Sequence, residues 1–266
     1  MTVVRQVTSR HNDLFKDLRR LLAEPTAYRK LGRVWLEGDH LCRALLERGR
    51  VPVRAIVTES GWAAPALNAL ARSAPEVVCI PDALMRELSG LESPAPIGFL
   101  IEADGGVAPR AGVNTVVLDR LQDPGNVGSI LRTASAMGFA QIVALKGSVA
   151  LWSPKVLRAG MGAHFALILV EGAAITDVVA LGLPVVGTHL RDAQWLHETA
   201  LPSPLAWVFG HEGQGMSDAV SAACTLRVRI AQPGGEESLN VAAAAAMCLY
   251  ESSRARQRAP WADAGT

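Results

Sequence analysis

Three stretches of this 266-residue sequence place glycines and polar groups directly after short apolar runs, where a parallel α/β sheet leaves its ligand-binding loops. The first runs from Leu118 to Ala134. In it Asp123-Pro124-Gly125-Asn126 reads as a turn, a helix follows over Gly128 to Met137, and Arg132 sits roughly two turns beyond Asn126. Arg132 interrupts an apolar helix start, so its charge must be paired or face a cleft. The alternative is an Asn cap with an arginine snorkelling to the surface. The second stretch, Trp207 to Ser217, holds Gly210, Gly213 and Gly215, which allow close backbone approach or positive φ. Glu212 there can accept hydrogen bonds from a cationic or hydroxyl-bearing ligand. The alternative is a tight strand-to-helix connection capped by Ser217. The third, Arg229 to Val241, carries a Gly-rich turn at Pro233-Gly234-Gly235, then Glu237, and then Ser238 or Asn240 to open an alanine-rich helix. Neither the G-x-G-x-x-G fingerprint nor a Gly-Lys phosphate loop occurs, which counts against a dinucleotide-dependent oxidoreductase.

Such loops need a frame. The periodicity around them predicts strands at 115–118, 141–145, 166–170, 185–188, 206–209 and 226–230, with helices at 128–137, 154–159, 217–222 and 239–254. Strands alternating with helices imply a mostly parallel sheet covered on both faces. Upstream lies a smaller α/β pattern, with helices at 12–22, 39–47, 63–71 and 82–88 and strands at 34–36, 53–58, 77–80 and 97–101. Residues 104–112, rich in Gly, Ala and Pro, read as a linker. The expected organisation is an N-terminal domain over 1–103, this linker, a second domain over 113–258 and a tail over 259–266.

Half of the residues are hydrophobic, enough for a real core. Met1 to Lys16 is polar and charged, so no secretory signal is expected, and the apolar run Val241 to Tyr250 is too short to span a bilayer. Cys42, Cys79, Cys224 and Cys248 form no C-x-x-C pair, and the six histidines show no helical metal-site spacing. A metal-free protein of the reducing cytoplasm follows. Net charge is +1, but Met1 to Arg54 contains 12 Lys and Arg against 6 Asp and Glu. That local excess suits a phosphate-bearing partner, or equally a solvated helix face.

Each loop alone has a bland explanation; the three in this order do not. Asp123-Pro124-Gly125-Asn126-Val127-Gly128 with Arg132-Thr133-Ala134, then Phe209-Gly210-His211-Glu212-Gly213-Gln214-Gly215, then Glu237-Ser238-Leu239-Asn240-Val241, resemble the signature motifs of the SpoU/TrmH-type RNA 2′-O-ribose methyltransferases of the SPOUT class. The resemblance runs from about Val113 to Arg256 and includes Gly187-Thr188-His189-Leu190 and the segment Leu151 to Arg158. The stretch Val34 to Leu41 is similar to the ribosomal-protein-like substrate-binding domain often fused to this family.

The resemblance implies a parallel α/β sheet with a C-terminal trefoil knot, preceded by a smaller α/β domain, in an obligate homodimer. It implies S-adenosylmethionine as cofactor, held by Thr188, His189, Leu190, Gly210, Glu212, Gly213, Gly215, Ile230, Ser238, Leu239 and Asn240. Among these, the backbones of Gly210, Ile230 and Leu239 are assigned to adenine and cofactor contact. Arg132, Asn126, Glu212, Ser238 and Asn240 are the implied catalytic set. Arginine is almost always protonated, so Arg132 is better suited to anchoring a phosphate and stabilising charge than to acting as a base. The implied substrate is RNA, ribosomal before transfer RNA. A non-catalytic RNA-binding relative is the rival reading, and retention of the whole polar set argues against it. A methyltransferase acting on a base nitrogen is disfavoured by the Ser238-Leu239-Asn240 signature. Two departures stand out: Ala231-Gln232 where Pro-Met is common, and Gly160 and Gly162 where many relatives carry serine.

Overall fold

The computed structural model describes residues 2–89, 92–190, 192–234 and 238–258. Gly235, Glu236 and Glu237 of the third loop and the expected tail over 259–266 lie outside the described residues. The chain forms two compact units, Met1–Gly105 with Trp152–Phe165, and Gly106–Leu151 with Ala166–Thr266.

In chain order the first unit begins with β1 (Val3–Gln6), α1 (Asp13–Ala23), α2 (Ala27–Leu31), β2 (Arg33–Glu37) and α3 (Asp39–Glu47). It continues with β3 (Arg54–Thr58), α4 (Glu59–Ala63), α5 (Pro65–Ala71), β4 (Glu76–Ile80), α6 (Asp82–Leu88) and β5 (Ile97–Glu102). The sheet order is β1-β4-β3-β5-β2, with β1, β4 and β3 parallel and β5 antiparallel to β3 and β2. Helix α1 starts where the Asn12 side chain accepts from Leu14 N at 3.0 Å, and it buries Phe15, Leu18 and Leu21 at helical spacing. These meet a core that includes Leu36, Leu45, Ile56 and Phe99, all essentially inaccessible.

The second unit carries β6 (Thr115–Asp119), α7 (Pro124–Ala136) and β7 (Gln141–Leu145). After α8 (Pro154–Gly160) come β8 (Ile168–Ala173), α9 (Ile175–Val179), β9 (Val185–Thr188), β10 (Gln194–Trp195) and β11 (Ala206–Gly210). The chain then forms α10 (Asp218–Ala223), β12 (Leu226–Arg229) and α11 (Val241–Arg258). The sheet order is β10-β12-β9-β11-β6-β7-β8, and every pairing is parallel. Strands β6 and β7 are buried along their whole length, which is why they read as apolar runs rather than alternating ones. Helix α11 packs on α7 and β11. The fully buried Trp207 of β11 donates its Nε1–H to Ser252 Oγ of α11 at 2.8 Å.

Some expectations need correction. Residues 113–258 do not form one uninterrupted compact unit, because Trp152–Phe165 belongs with the first unit. There Pro154, Leu157 and Arg158 border a small cleft with Leu22, Trp35 and Leu41, and Trp152, Val156 and Leu157 are buried. Helix α7 begins at Pro124 rather than Gly128: Asp123 is its cap, and Pro124 occupies a first-turn position where a missing N–H costs nothing. Strand β8 starts two residues late because Ala163–Ala166 forms a 3-10 turn. Strand β1 was not expected; it is an exposed sheet edge without alternation. Elements α2, α4, α9 and β10 span only two to five residues, too few to display a period. Among the described residues no helix is long and apolar enough to cross a membrane.

The Trp207–Ser252 contact predicts a measurable coupling. Ser252→Ala leaves the indole N–H buried without an acceptor and should lower stability by about 1–3 kcal/mol. Trp207→Phe and Ser252→Ala combined should cost less than the sum of the two singles. Additive costs in urea unfolding would show that this bond does not tie α11 to β11.

Candidate functional site

Strands β12, β9, β11 and β6 lie side by side and end at Arg229, Thr188, Gly210 and Asp119, so the loops that follow gather at one edge of the sheet. The loops after β9, β11 and β12, with Trp195, line a cavity of about 710 Å³, within the range of small-molecule sites. Of the residues expected to hold a cofactor, Thr188, His189, Leu190, Gly210, Glu212, Gly213, Gly215, Ile230, Ser238 and Leu239 line it. Asn240 does not, and neither do Asn126 and Arg132. Trp195, Phe209, Met216, Arg229 and Gln232 line it as well, none of them among the expected site residues.

Asn126 and Asn240 connect to the cavity through a chain of hydrogen bonds. Asn126 Nδ2 donates to Glu212 Oε1 at 3.2 Å, and Asp123 N donates to the same oxygen at 3.3 Å. Asn126 Oδ1 accepts from Asn240 Nδ2 at 3.0 Å. Asn240 Oδ1 then accepts from Ala242 N at 2.9 Å and Ala243 N at 3.3 Å, capping α11. The backbone N–H of Asn126 donates to Asp123 Oδ1 at 2.7 Å, which caps α7. One residue from each motif is thus joined to the next, and two helix starts are satisfied in the process. Of the two candidates for opening the alanine-rich helix, Asn240 is the cap.

A second brace lies one strand end away. Asp119 is buried, and its Oδ2 accepts from Ser217 N at 2.6 Å while Oδ1 lies 3.3 Å from Arg120 Nε. Arg120 reaches on to Gln214 Oε1 at 3.1 Å and Gly215 O at 3.4 Å. It does so from a backbone held at φ 61°, unusual for a residue with a Cβ. The glycine loop is pulled tight against β11: a Cβ on Gly210 would collide with the backbone of Gly215 and Met216, and Gly215 itself sits at φ +69°. His211 closes the loop from within, its Nδ1 accepting from Gly213 N at 3.0 Å. The sequence signal for this brace was the Asp-Arg pair at a strand end, which only the fold shows to face the glycine loop.

Burial works to raise the Glu212 carboxyl, but hydrogen bonds from its own backbone, the Asn126 amide and the Asp123 and Gln122 N–H groups outweigh it and hold the group below the usual carboxylate value. Glu212 is therefore a fixed acceptor at neutral pH and not a proton donor. Burial, and then the nearby Arg227, push His189 below the ordinary histidine value, leaving its imidazole neutral. Three cavity-lining side chains hold buried polar atoms without a hydrogen-bond partner among the described residues: His189 Nε2, Arg229 Nε and Gln232 Oε1. A dry apolar cavity would not orphan such groups; one that takes a ligand with both donors and acceptors would.

Of the two readings of Arg132, the structure shows the one that faces solvent. It is exposed on α7 and makes no hydrogen bond or ion pair among the described residues, so its charge is neither paired nor turned into the cavity. Solvation satisfies it and leaves it available. In the first unit much of the basic excess is paired internally: Arg5 and Arg54 meet Glu76, Lys16 meets Asp13, Arg43 meets Asp39, and Arg50 meets Asp104. Arg10, Lys30 and Arg48 have no carboxylate partner among the described residues. Among the described residues no cluster of three His, Cys, Asp or Glu could hold a metal ion.

Comparison with known proteins bears on what this arrangement serves. The SpoU rRNA Methylase family matches residues 114–250, more than half of the chain. A protein of Synechocystis sp. described as an uncharacterized tRNA/rRNA methyltransferase is 33% identical over 273 residues, covering 94% of each chain. The 23S rRNA (guanosine-2′-O-)-methyltransferase RlmB of Pseudomonas putida is 35% identical over 149 residues, which cover 53% of this chain and 59% of RlmB. The crystal structure of an AdoMet-bound rRNA methyltransferase from Sinorhizobium meliloti superposes with a TM-score of 0.82 at 26% identity, over 94% of this chain and 98% of that one.

The ionised state of Glu212 predicts a pH signature. Its folded-state value lies below the unfolded value of about 4.3, so its contribution is present in full above that value and is lost as pH falls through the lowered one. Glu212→Gln should be less stable than the parent near neutrality, with the gap closing in acid. A gap in urea unfolding that stays constant with pH would show that the charge is not what matters.

Proposed function

The chain belongs to the SpoU rRNA methylase family, and on that premise we propose that it methylates a ribose 2′-hydroxyl in RNA, ribosomal RNA before transfer RNA, with S-adenosylmethionine as donor. The observation that carries this reading is the hydrogen-bond chain from Glu212 through Asn126 to Asn240 beside a cavity with orphaned donors and acceptors. It supports a site whose parts are held in place for a ligand and not merely three capped loops. The 2′-O specificity is supported by RlmB, a guanosine-2′-O-methyltransferase.

When bound, S-adenosylmethionine supplies a methyl group on a positively charged sulfur that leaves as a neutral thioether. The chain's residues then have positioning work to do. Methyl transfer needs the attacking oxygen in line with the carbon–sulfur bond, so alignment is the main catalytic lever. Glu212 and Asn126 fix the inner wall where the motifs meet. Arg132, exposed and unpaired, holds the phosphate next to the target ribose and stabilises the negative charge that builds on the 2′-oxygen. The hydroxyl proton leaves to bulk water, which reaches this exposed face. The apolar lining from Leu190, Phe209, Ile230 and Leu239 suits a nucleobase, and the backbones of Gly210, Ile230 and Leu239 remain its assigned contacts. Ser238, on the cavity wall, and Asn240, at the α11 cap, complete the cleft.

The wider reading has three parts. The first unit grips folded RNA, with Arg10, Lys30 and Arg48 free to meet phosphates. Two copies pair through the methyltransferase part, for which the exposed Leu190, Met247 and Tyr250 offer apolar surface. The chain after β12 threads into a trefoil knot, for which the packing of α11 across β11 and α7 is the supporting contact. A cytoplasmic setting suits the four free cysteines, three of them buried.

Arg132→Ala tests the assignment. It should lower methyl transfer to RNA by at least about 100-fold while changing affinity for S-adenosylmethionine by no more than about 2-fold. Radiolabel transfer and calorimetric titration read the two separately. Loss of both together would give Arg132 a structural role. Transfer to tRNA but not rRNA fragments would reverse the order of substrates.

A further inference from the structure

We infer that Arg229, held flat against Trp195, is the anchor for the carboxylate of the methyl donor's amino-acid end. The inference rests on the reading that the donor is S-adenosylmethionine, and it assigns a role to the first residue of the third stretch, which is not among the expected site residues.

Arg229 and Trp195 are register partners on the adjacent parallel strands β12 and β10, so their side chains leave the same face of the sheet. The guanidinium carbon lies 3.7 Å from the indole centroid. A guanidinium stacked this closely has its plane fixed by the ring while its edge N–H groups stay free to bind in that plane. One of them, Nε–H, is buried and has no hydrogen-bond partner among the described residues, and no carboxylate there lies within ion-pairing distance of Arg229. Arg229 is half-buried, and a buried N–H without an acceptor is costly unless a ligand supplies one.

Among the described residues that line the cavity, Arg229 is the one Lys or Arg. The donor carries one carboxylate. Elsewhere the described wall combines the apolar Leu190, Phe209, Ile230 and Leu239, which suit the nucleobase, with neutral polar side chains and the anionic Glu212, so Arg229 is the group suited to the donor's carboxylate. The acceptor Gln232 Oε1, buried and also without a partner among the described residues, lines the same cavity and complements an ammonium. Electrostatics set the direction in which the donor lies. Glu212, ionised, follows β11, while Arg229 ends β12, with β9 between them, a separation of two strand spacings or roughly 10 Å. A carboxylate is repelled from the first and drawn to the second, and the cationic sulfur prefers the reverse.

A ligand pair that differs only in the carboxylate reads this directly. The full-length chain is titrated calorimetrically with S-adenosylmethionine and with its decarboxylated analogue, which keeps the ammonium, sulfonium and adenosine. The parent should prefer the carboxylated donor by about 10- to 100-fold, as expected of a charge-assisted hydrogen bond. Arg229→Gln should bind both about equally, and Arg229→Lys should recover part of the preference. Gln232→Leu should weaken both ligands alike and keep the preference, which separates loss of the anchor from damage to the cavity. If Arg229→Gln keeps the parental preference, or if the parent has none, the anchor assignment is wrong. If the parent binds neither ligand, the donor reading itself is what fails.

Discussion

A single carboxamide holds the candidate site together. Asn126 offers a donor to Glu212, an acceptor to Asn240 and its own backbone N–H to Asp123. A primary amide is the group that can give and take in opposite directions from one planar head; a carboxylate accepts only, and a hydroxyl lacks the span. Its partners lie 86 and 114 residues away along the chain, so the bonds close long loops whose entropy must be offset elsewhere. The parallel sheet does that. By burying β6 and nearly all of β11 and pairing them in parallel, it holds their carboxyl ends side by side.

Around that amide the structure spends its buried charge sparingly. Asp119 is the buried carboxylate at the strand ends, and both of its oxygens have partners, a backbone N–H from the glycine loop and the Arg120 guanidinium. Breaking such a set by removing one member leaves an uncompensated charge, which typically costs about 3–5 kcal/mol. The glycine loop is therefore held in place by Gly215 and Met216 against Gly210 of β11 and by Ser217 against Asp119. Rigidity of this kind suits a site whose work is alignment.

The distribution of protonation states says the same. Glu212 is kept ionised and His189 neutral. Each of these groups is held away from the point where it would exchange a proton near neutrality. The two arginines differ in location, Arg132 exposed on α7 and Arg229 stacked on Trp195 in the cavity wall. The proposed reaction would use these groups for fixed charge and geometry and leave proton transfer to water.

The sequence by itself determined the strand–helix alternation, the parallel sheet and the membership of the three loops, because buried strands and capped helices write their periods and punctuation locally. Val185 to Thr188, Gln141 to Leu145 and Asp39 to Glu47 were legible to the residue. It also marked Asn126, Glu212 and Asn240, since polar residues after glycines at strand ends have few structural reasons to be there. What it could not show was who meets whom. The Asn126 bridge, the Asp119–Arg120 brace, the Arg229–Trp195 stack and the assignment of Trp152–Phe165 to the first unit join residues far apart in the chain. Arg132 looked as if it needed a partner because its neighbours are apolar. Only the helix orientation shows that it faces solvent while Leu131 and Ala134 face the core. Local periodicity fixes which side chains share a face, but the identity of the opposing face is a property of the packed sheet, and tertiary structure alone decides it.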